Sequence, residues 1–279
     1  MTTIVIVALS GIVFAGSPAT AREPLRYVAL GDSSVAGPGI PNEIDATCLR
    51  SDHDWPHVLA GRLGAALTDV SCSGATMTHL TGRQFETVPP QFDALRPGTG
   101  LVTLAIGAND IKTYEAFVQC AHVSPEPQGA TCRERFTVGG ADRFAARVQA
   151  LAGTTASSLA EIHRRSPRAH VVVTGYLTYW RPGGCYPGDP YFPGDADYIR
   201  SRMDLLVTML ARVSAANRAT YVDLRGPSAG HGLCEAPARR WVEGAVPVSP
   251  AYAYHPNAQG MAAVAAIMDN AVRKARGTW

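Results

Sequence analysis

Tyr27-Val28-Ala29-Leu30-Gly31-Asp32-Ser33-Ser34 is the stretch from which the remaining sequence can be read. An apolar, strand-forming run stops abruptly at Gly-Asp-Ser, so a strand ends in a turn that carries a hydroxyl. Open α/β sheets place their chemistry outside the carboxyl ends of their strands, which makes Ser33 the candidate nucleophile. Gly-Asp-Ser is also an ordinary turn in which Asp or Ser caps the helix that follows, so the tripeptide decides nothing alone.

Working outward, residues 25–30 form the first strand and residues 54–67 the first helix, with Asp54 as its N-cap and Pro56 in its first turn. Short apolar runs at 68–71, 101–106, 171–173 and 220–223 read as further strands, the third-strand run without any polar alternation. Between them, residues 141–165 and the stripe Ile199, Met203, Leu206, Leu210, Val213 repeat at helical spacing, and a last helix begins near Asn257. Strands alternating with helices imply a parallel sheet covered on both faces. With 279 residues and no repeat or linker, the expectation is one α/β domain over residues 22–279, a three-layer α/β/α fold around a central parallel five-stranded sheet.

Three downstream motifs give the Ser33 turn its meaning: Gly74 in Cys72-Ser73-Gly74-Ala75, Asn109 in Ile106-Gly107-Ala108-Asn109-Asp110, and His255 in Tyr254-His255-Pro256-Asn257. Taken singly they are a turn glycine, a helix N-cap and a capping histidine. In this order and context they resemble the four blocks of the SGNH (GDSL) hydrolase family, over residues 25–261. The resemblance implies a flavodoxin-like strand order and a serine ester hydrolase that needs neither metal nor cofactor. Ser33 would attack, His255 would act as base, and the Ser33 N–H, the Gly74 N–H and the Asn109 side chain would receive the oxyanion. Asp32 would shape the turn. The family usually carries an Asp three residues before the His, where this sequence has Tyr252. We therefore expect a Ser33–His255 dyad in which the backbone carbonyl of Tyr252 accepts the imidazole proton.

Composition narrows the setting. A net charge of +2 with 17% charged residues supplies no basic stripe for nucleic acid. Residues 4–16 are apolar and are followed by Ser17-Pro18-Ala19-Thr20-Ala21, the pattern of a secretory signal cut after Ala21 and too short for a membrane span, although no Lys or Arg precedes it. The expected location is extracellular. Six cysteines fit an oxidising compartment. Their spacing leaves the pairing open; pairing of neighbours is the simplest arrangement, and the resemblance to secreted actinobacterial lipases and esterases of the family implies it too: Cys48 with Cys72, Cys120 with Cys132, Cys185 with Cys234. The expected partners are a small-molecule or lipid ester and, transiently, a lipid surface, with the protein monomeric.

The long loop 176–194 carries Tyr176, Tyr179, Trp180, Tyr191 and Phe192, which fit the wall of an acyl groove and the core equally well. Gly226-Pro227-Ser228-Ala229-Gly230 spells the nucleophile elbow of α/β-hydrolases, but no His lies beyond the one later aspartate, Asp269, so that fold is not expected. His53 and His57 have zinc-site spacing, but Pro56 lies between them and a helix start explains both. The same Ser and His would also serve an acyltransferase or a carbohydrate O-deacetylase. A non-catalytic binding module fits least, because all four motif positions are occupied.

Overall fold

The computed structural model describes residues 23–122 and 129–277; the leader expected over residues 1–21 lies outside them. Strand β1 (Arg26–Gly31) pairs in parallel with β2 (Ala66–Asp69) on one side and β3 (Leu101–Ala105) on the other. β4 (His170–Thr174) and β5 (Thr220–Val222) extend the β3 side, giving a five-stranded parallel sheet in the order β2-β1-β3-β4-β5. The order reverses between β1 and β3, the switch point at which flavodoxin-like sheets open a crevice.

Eight α-helices surround the sheet in the described residues: α1 (Ser33–Ala36), α2 (Trp55–Leu63), α3 (Thr113–Cys120), α4 (Cys132–Phe136), α5 (Arg143–Arg165), α6 (Pro193–Ala216), α7 (Arg225–Ser228) and α8 (Ala258–Arg276). The central strands are mostly apolar because both faces are covered, and the buried Thr103 pairs its hydroxyl with that of Tyr27 (2.8 Å). Val28, Leu30, Val102, Leu104, Val171 and Val173 point into the core beneath α5 and α6. Tyr27, Ala29, Leu101, Ala105 and Val172 point into the opposite core beneath α2 and α8.

The first helix ends earlier than the sequence suggests. Gly64 adopts a left-handed conformation (φ 60°) and closes α2, so Ala66 and Leu67 belong to β2, where they pair with Arg26 and Tyr27. Leu63 and Leu67 share helical spacing only because a short strand follows the helix at once. α6 begins at Pro193, ahead of the stripe that revealed it, with Pro in its first turn. The stretch after Cys120 contains α4, whose Thr131 and Glu134 form a capping box. All three expected disulfides are present: Cys48–Cys72, Cys120–Cys132 and Cys185–Cys234.

Gly31 ends β1 where nothing larger fits. The buried Gln91 side chain accepts from its N–H (2.8 Å) and donates to its carbonyl (2.9 Å). A Cβ here would lie 2.6 Å from the Ala105 carbonyl oxygen and press on Val35. Gly31→Ala is expected to lower unfolding free energy by about 1–3 kcal/mol, the usual cost of overpacking, measured by chemical denaturation; unchanged stability would mean that the β1 end yields freely.

Candidate active site

Because β1 lies between β2 and β3, the turns after those strands open on one rim. Ser33 follows β1 as the first residue of α1, with Asp32 as N-cap. Its Oγ lies 2.8 Å from Nε2 of His255, 222 residues away in sequence. The other ring nitrogen, Nδ1, lies 2.8 Å from the Ala253 carbonyl oxygen. A carbonyl can only accept, so Nδ1 carries the proton and Nε2 is left as acceptor for the Ser33 hydroxyl.

The sequence expectation at Tyr252 is corrected here. The Tyr252 carbonyl accepts the His255 backbone N–H (3.1 Å), not the imidazole proton. Tyr254 has φ 59°, a left-handed turn that swings the ring toward the next carbonyl along, that of Ala253. Among the described residues no carboxylate bonds either ring nitrogen. The carboxylates of Asp45 and Asp223 bond elsewhere, Asp45 to Thr47, Cys48 and Arg50 and Asp223 to Arg225. Burial pulls the His255 pKa below its ordinary value, against the opposing bond to Ala253.

Ser33, Gly74 and Asn109 all line the cavity above the hydroxyl. Gly74 is left-handed (φ 80°), a conformation that glycine adopts without strain. Among the described residues nothing accepts from the backbone N–H of Ser33 or of Gly74. Asn109 Nδ2 donates to the Ala75 carbonyl (2.9 Å), which fixes the amide and leaves its second hydrogen unused. Asp110 accepts from the Met77 N–H at the neighbouring turn (3.0 Å), and burial raises its pKa to about 6.

Asp32 does more than shape its own turn. It is buried and accepts from the Ser34 N–H (2.9 Å), the Ser34 hydroxyl (2.7 Å) and the Tyr176 hydroxyl (2.6 Å). Tyr176 in turn accepts from the Ala108 N–H (2.8 Å), so one chain of bonds joins the turns after β1, β3 and β4. Burial raises the Asp32 pKa, and the bonds from Tyr176 and Ser34 oppose that rise. Burial likewise raises Tyr176, which stays a phenol. The sequence offers no local signal for a contact spanning 144 positions.

The histidine loop is anchored from behind. Buried Glu243 accepts from Asn257 Nδ2 (2.7 Å) and the Val248 N–H (2.9 Å), and its backbone exchanges bonds with Tyr254 and His255. Burial alone would raise the Glu243 carboxyl; those donors outweigh it and hold the pKa below the ordinary value. Asn257 caps α8 through the Gly260 N–H, as the motif after His255 suggested.

The cavity encloses about 630 Å³ and is walled by Thr113, Phe117, Tyr176, Tyr179, Met203 and Tyr254 on one side and by Pro38, Pro247 and Ala251 to Tyr252 on the other. Tyr176 and Tyr179 therefore line the cavity. Trp180 does not line this cavity: it is fully buried beside Tyr179, its Nε1 donating to Asp189 (2.8 Å). Tyr191 is likewise core, and Phe192 packs on His122 and Tyr186. Ser228, in the elbow-like motif, is buried on α7 with its hydroxyl donated to the Leu224 carbonyl.

Residues 29–263 match the GDSL-like Lipase/Acylhydrolase family. The chain belongs to that family. It is similar to Lipase 2 of Streptomyces coelicolor, 38% identical over 253 residues that span 88% of this chain and 84% of that protein. Lipase of Streptomyces rimosus is 30% identical over 240 residues, 84% of this chain and 81% of the relative. Phospholipase A1 from Streptomyces albidoflavus NA297 superposes with a TM-score of 0.74 at 25% identity, covering 89% of this chain and 99% of that structure. The extracellular lipase from Streptomyces rimosus gives a TM-score of 0.74 at 25% identity, over 88% and 98%. This lipase/acylhydrolase is thus an ester hydrolase on a single α/β sheet.

Elsewhere in this acylhydrolase, Asp54, His57 and Asp69 cluster between α2 and β2, while His53 turns away to Asp52. His57 Nδ1 lies 2.7 Å from Asp54 Oδ1, and the Oδ2 atoms of both aspartates are buried with no donor from other groups. Burial raises both carboxyls, Asp54 to about 7. At the site itself, Tyr176→Phe removes one donor from Asp32 and the acceptor from Ala108. We expect an unfolding free energy lower by about 1–3 kcal/mol in urea, the cost of orphaned buried polar groups; unaltered stability would show that the link holds nothing.

Proposed function

We propose that the protein is a secreted lipase or esterase that cleaves carboxylic esters of medium or long acyl chains through a Ser33 acyl-enzyme. The observation that carries this reading is the 2.8 Å contact between Ser33 Oγ and His255 Nε2 at the floor of a 630 Å³ cavity with aromatic and aliphatic walls. His255 takes the Ser33 proton as the oxygen attacks the ester carbonyl. The Ser33 and Gly74 N–H groups and the free hydrogen of Asn109 Nδ2 receive the negative charge that develops on the carbonyl oxygen. His255 then gives its proton to the departing alcohol, and water activated by the same imidazole releases the acid.

The Ala253 carbonyl supports the imidazole in place of a carboxylate, making the pair a dyad with a backbone brace. A cavity of this size and apolarity favours a lipid acyl chain over the acetyl group of a carbohydrate deacetylase. Three disulfides and the extracellular relative in Streptomyces rimosus support secretion. Neither a metal nor a cofactor has a role in this sequence of steps, and the protein acts as a monomer.

Hydrolysis of p-nitrophenyl esters, from acetate to palmitate, tests the reading. Ser33→Ala and His255→Ala are each expected to cut kcat by about a thousandfold or more, as for residues acting as one unit. Variants that retain most turnover while folded would refute it. The pH profile has a definite sign. His255 must be neutral to accept the proton, and burial lowers its pKa. Thus kcat/KM should rise with pH along an acid limb centred below the ordinary histidine value of about 6.5 and be flat above it. A limb centred at or above that value would contradict the buried, carbonyl-braced base.

A further inference from the structure

Next to the catalytic cavity lies a smaller one of about 210 Å³, bounded by Leu177, Thr178, Trp180 and Pro182 and opening beside Arg200 and Asp204. Tyr179 and Met203 line both spaces and so form the wall between them. The two halves of that wall differ in firmness. Tyr179 is stacked on Trp180 (ring centroids 5.7 Å apart, planes at 30°) and tilts against Phe117, and its carbonyl accepts the Leu233 N–H. Met203, on α6, is buried, and its one polar neighbour is the Thr113 hydroxyl, 3.6 Å from Sδ. That hydroxyl has a single proton and a better acceptor in the Ala108 carbonyl at 2.9 Å, so packing alone holds the thioether. Methionine has three rotatable bonds and fills irregular gaps.

We propose that Met203 is the chain-length stop of the acyl pocket, and that the smaller cavity behind it is a distal subsite for the end of a long apolar chain. The polar mouth of that cavity does not argue for an anionic ligand, because Arg200 is already paired with Asp197 (3.0 Å) and Asp204 (3.7 Å). Leu177, Trp180, Pro182 and Ala229 give it apolar lining, and a chain passing Met203 would enter it from the cavity that holds Ser33. The inference rests on the ester-hydrolase reading above and adds to it a residue that sets substrate length.

The test compares kcat/KM for p-nitrophenyl butyrate, octanoate and palmitate in the wild type, Met203→Ala and Met203→Phe, with folding checked by circular dichroism. Met203→Ala joins the two spaces and should raise the palmitate-to-octanoate ratio about tenfold, the low end of the discrimination one methylene carries in an apolar pocket. Met203→Phe should lower the same ratio. If Met203→Ala does not fold, Met203→Val is the milder opening and should move the ratio in the same direction. A ratio unmoved in folded variants that still hydrolyse esters overturns the assignment of Met203 alone. A wild type that hydrolyses no ester of any length removes the ester-hydrolase reading, and this inference with it.

Discussion

A carboxylate with almost no water around it sits directly before Ser33, the proposed nucleophile. Asp32 is 1% exposed, and a charge taken that far from solvent is tolerated only when donors surround it. Ser34 supplies two and the Tyr176 phenol the third. Because Tyr176 also holds the Ala108 N–H, satisfying Asp32 fixes the position of the loop that carries Asn109. The stability of a buried acid and the placement of the proposed oxyanion donor Asn109 are therefore one requirement. Sites that work by preorganised dipoles depend on this sort of rigidity, since donors that must reorient during reaction lose much of their value.

The imidazole is placed by a separate set of restraints. Its loop pairs back on the chain through the Val242–Pro256 bridge, and Glu243 and Asn257 lock the segment between that bridge and α8. Tyr254 then turns left-handed, a strained conformation for a bulky residue, and packs its ring against Phe117, Trp180 and Tyr191. Asp189 joins that aromatic cluster to the same loop, accepting from Trp180 Nε1 and the Ala245 N–H. The aromatics of the 176–194 loop thus divide their labour: some wall the cavity and others brace the base.

The sheet, its order and the meeting of Ser33 with His255 are legible in the sequence because they follow from local pattern and a fixed order of motifs. What is not legible depends on orientation. Whether Tyr252 or Ala253 presents its carbonyl to Nδ1 is decided by the φ of Tyr254, and no sequence signal predicts a left-handed tyrosine. Whether Trp180 faces ligand or core depends on Asp189 lying within reach of its indole. α3 is missed for a similar reason: Lys112 enters it left-handed and provides no side-chain cap, so the usual start signal is lacking. The Asp32–Tyr176 bond is tertiary, and pattern along the chain carries no trace of it.

The most direct measurement is mass mapping of a fluorophosphonate adduct on the folded, disulfide-intact protein. The account predicts a single adduct on the peptide containing Ser33, and its disappearance in His255→Ala at preserved circular dichroism, because the hydroxyl is reactive only while Nε2 accepts its proton. An adduct on Ser228 or another serine, or undiminished labelling of Ser33 without the imidazole, would contradict it.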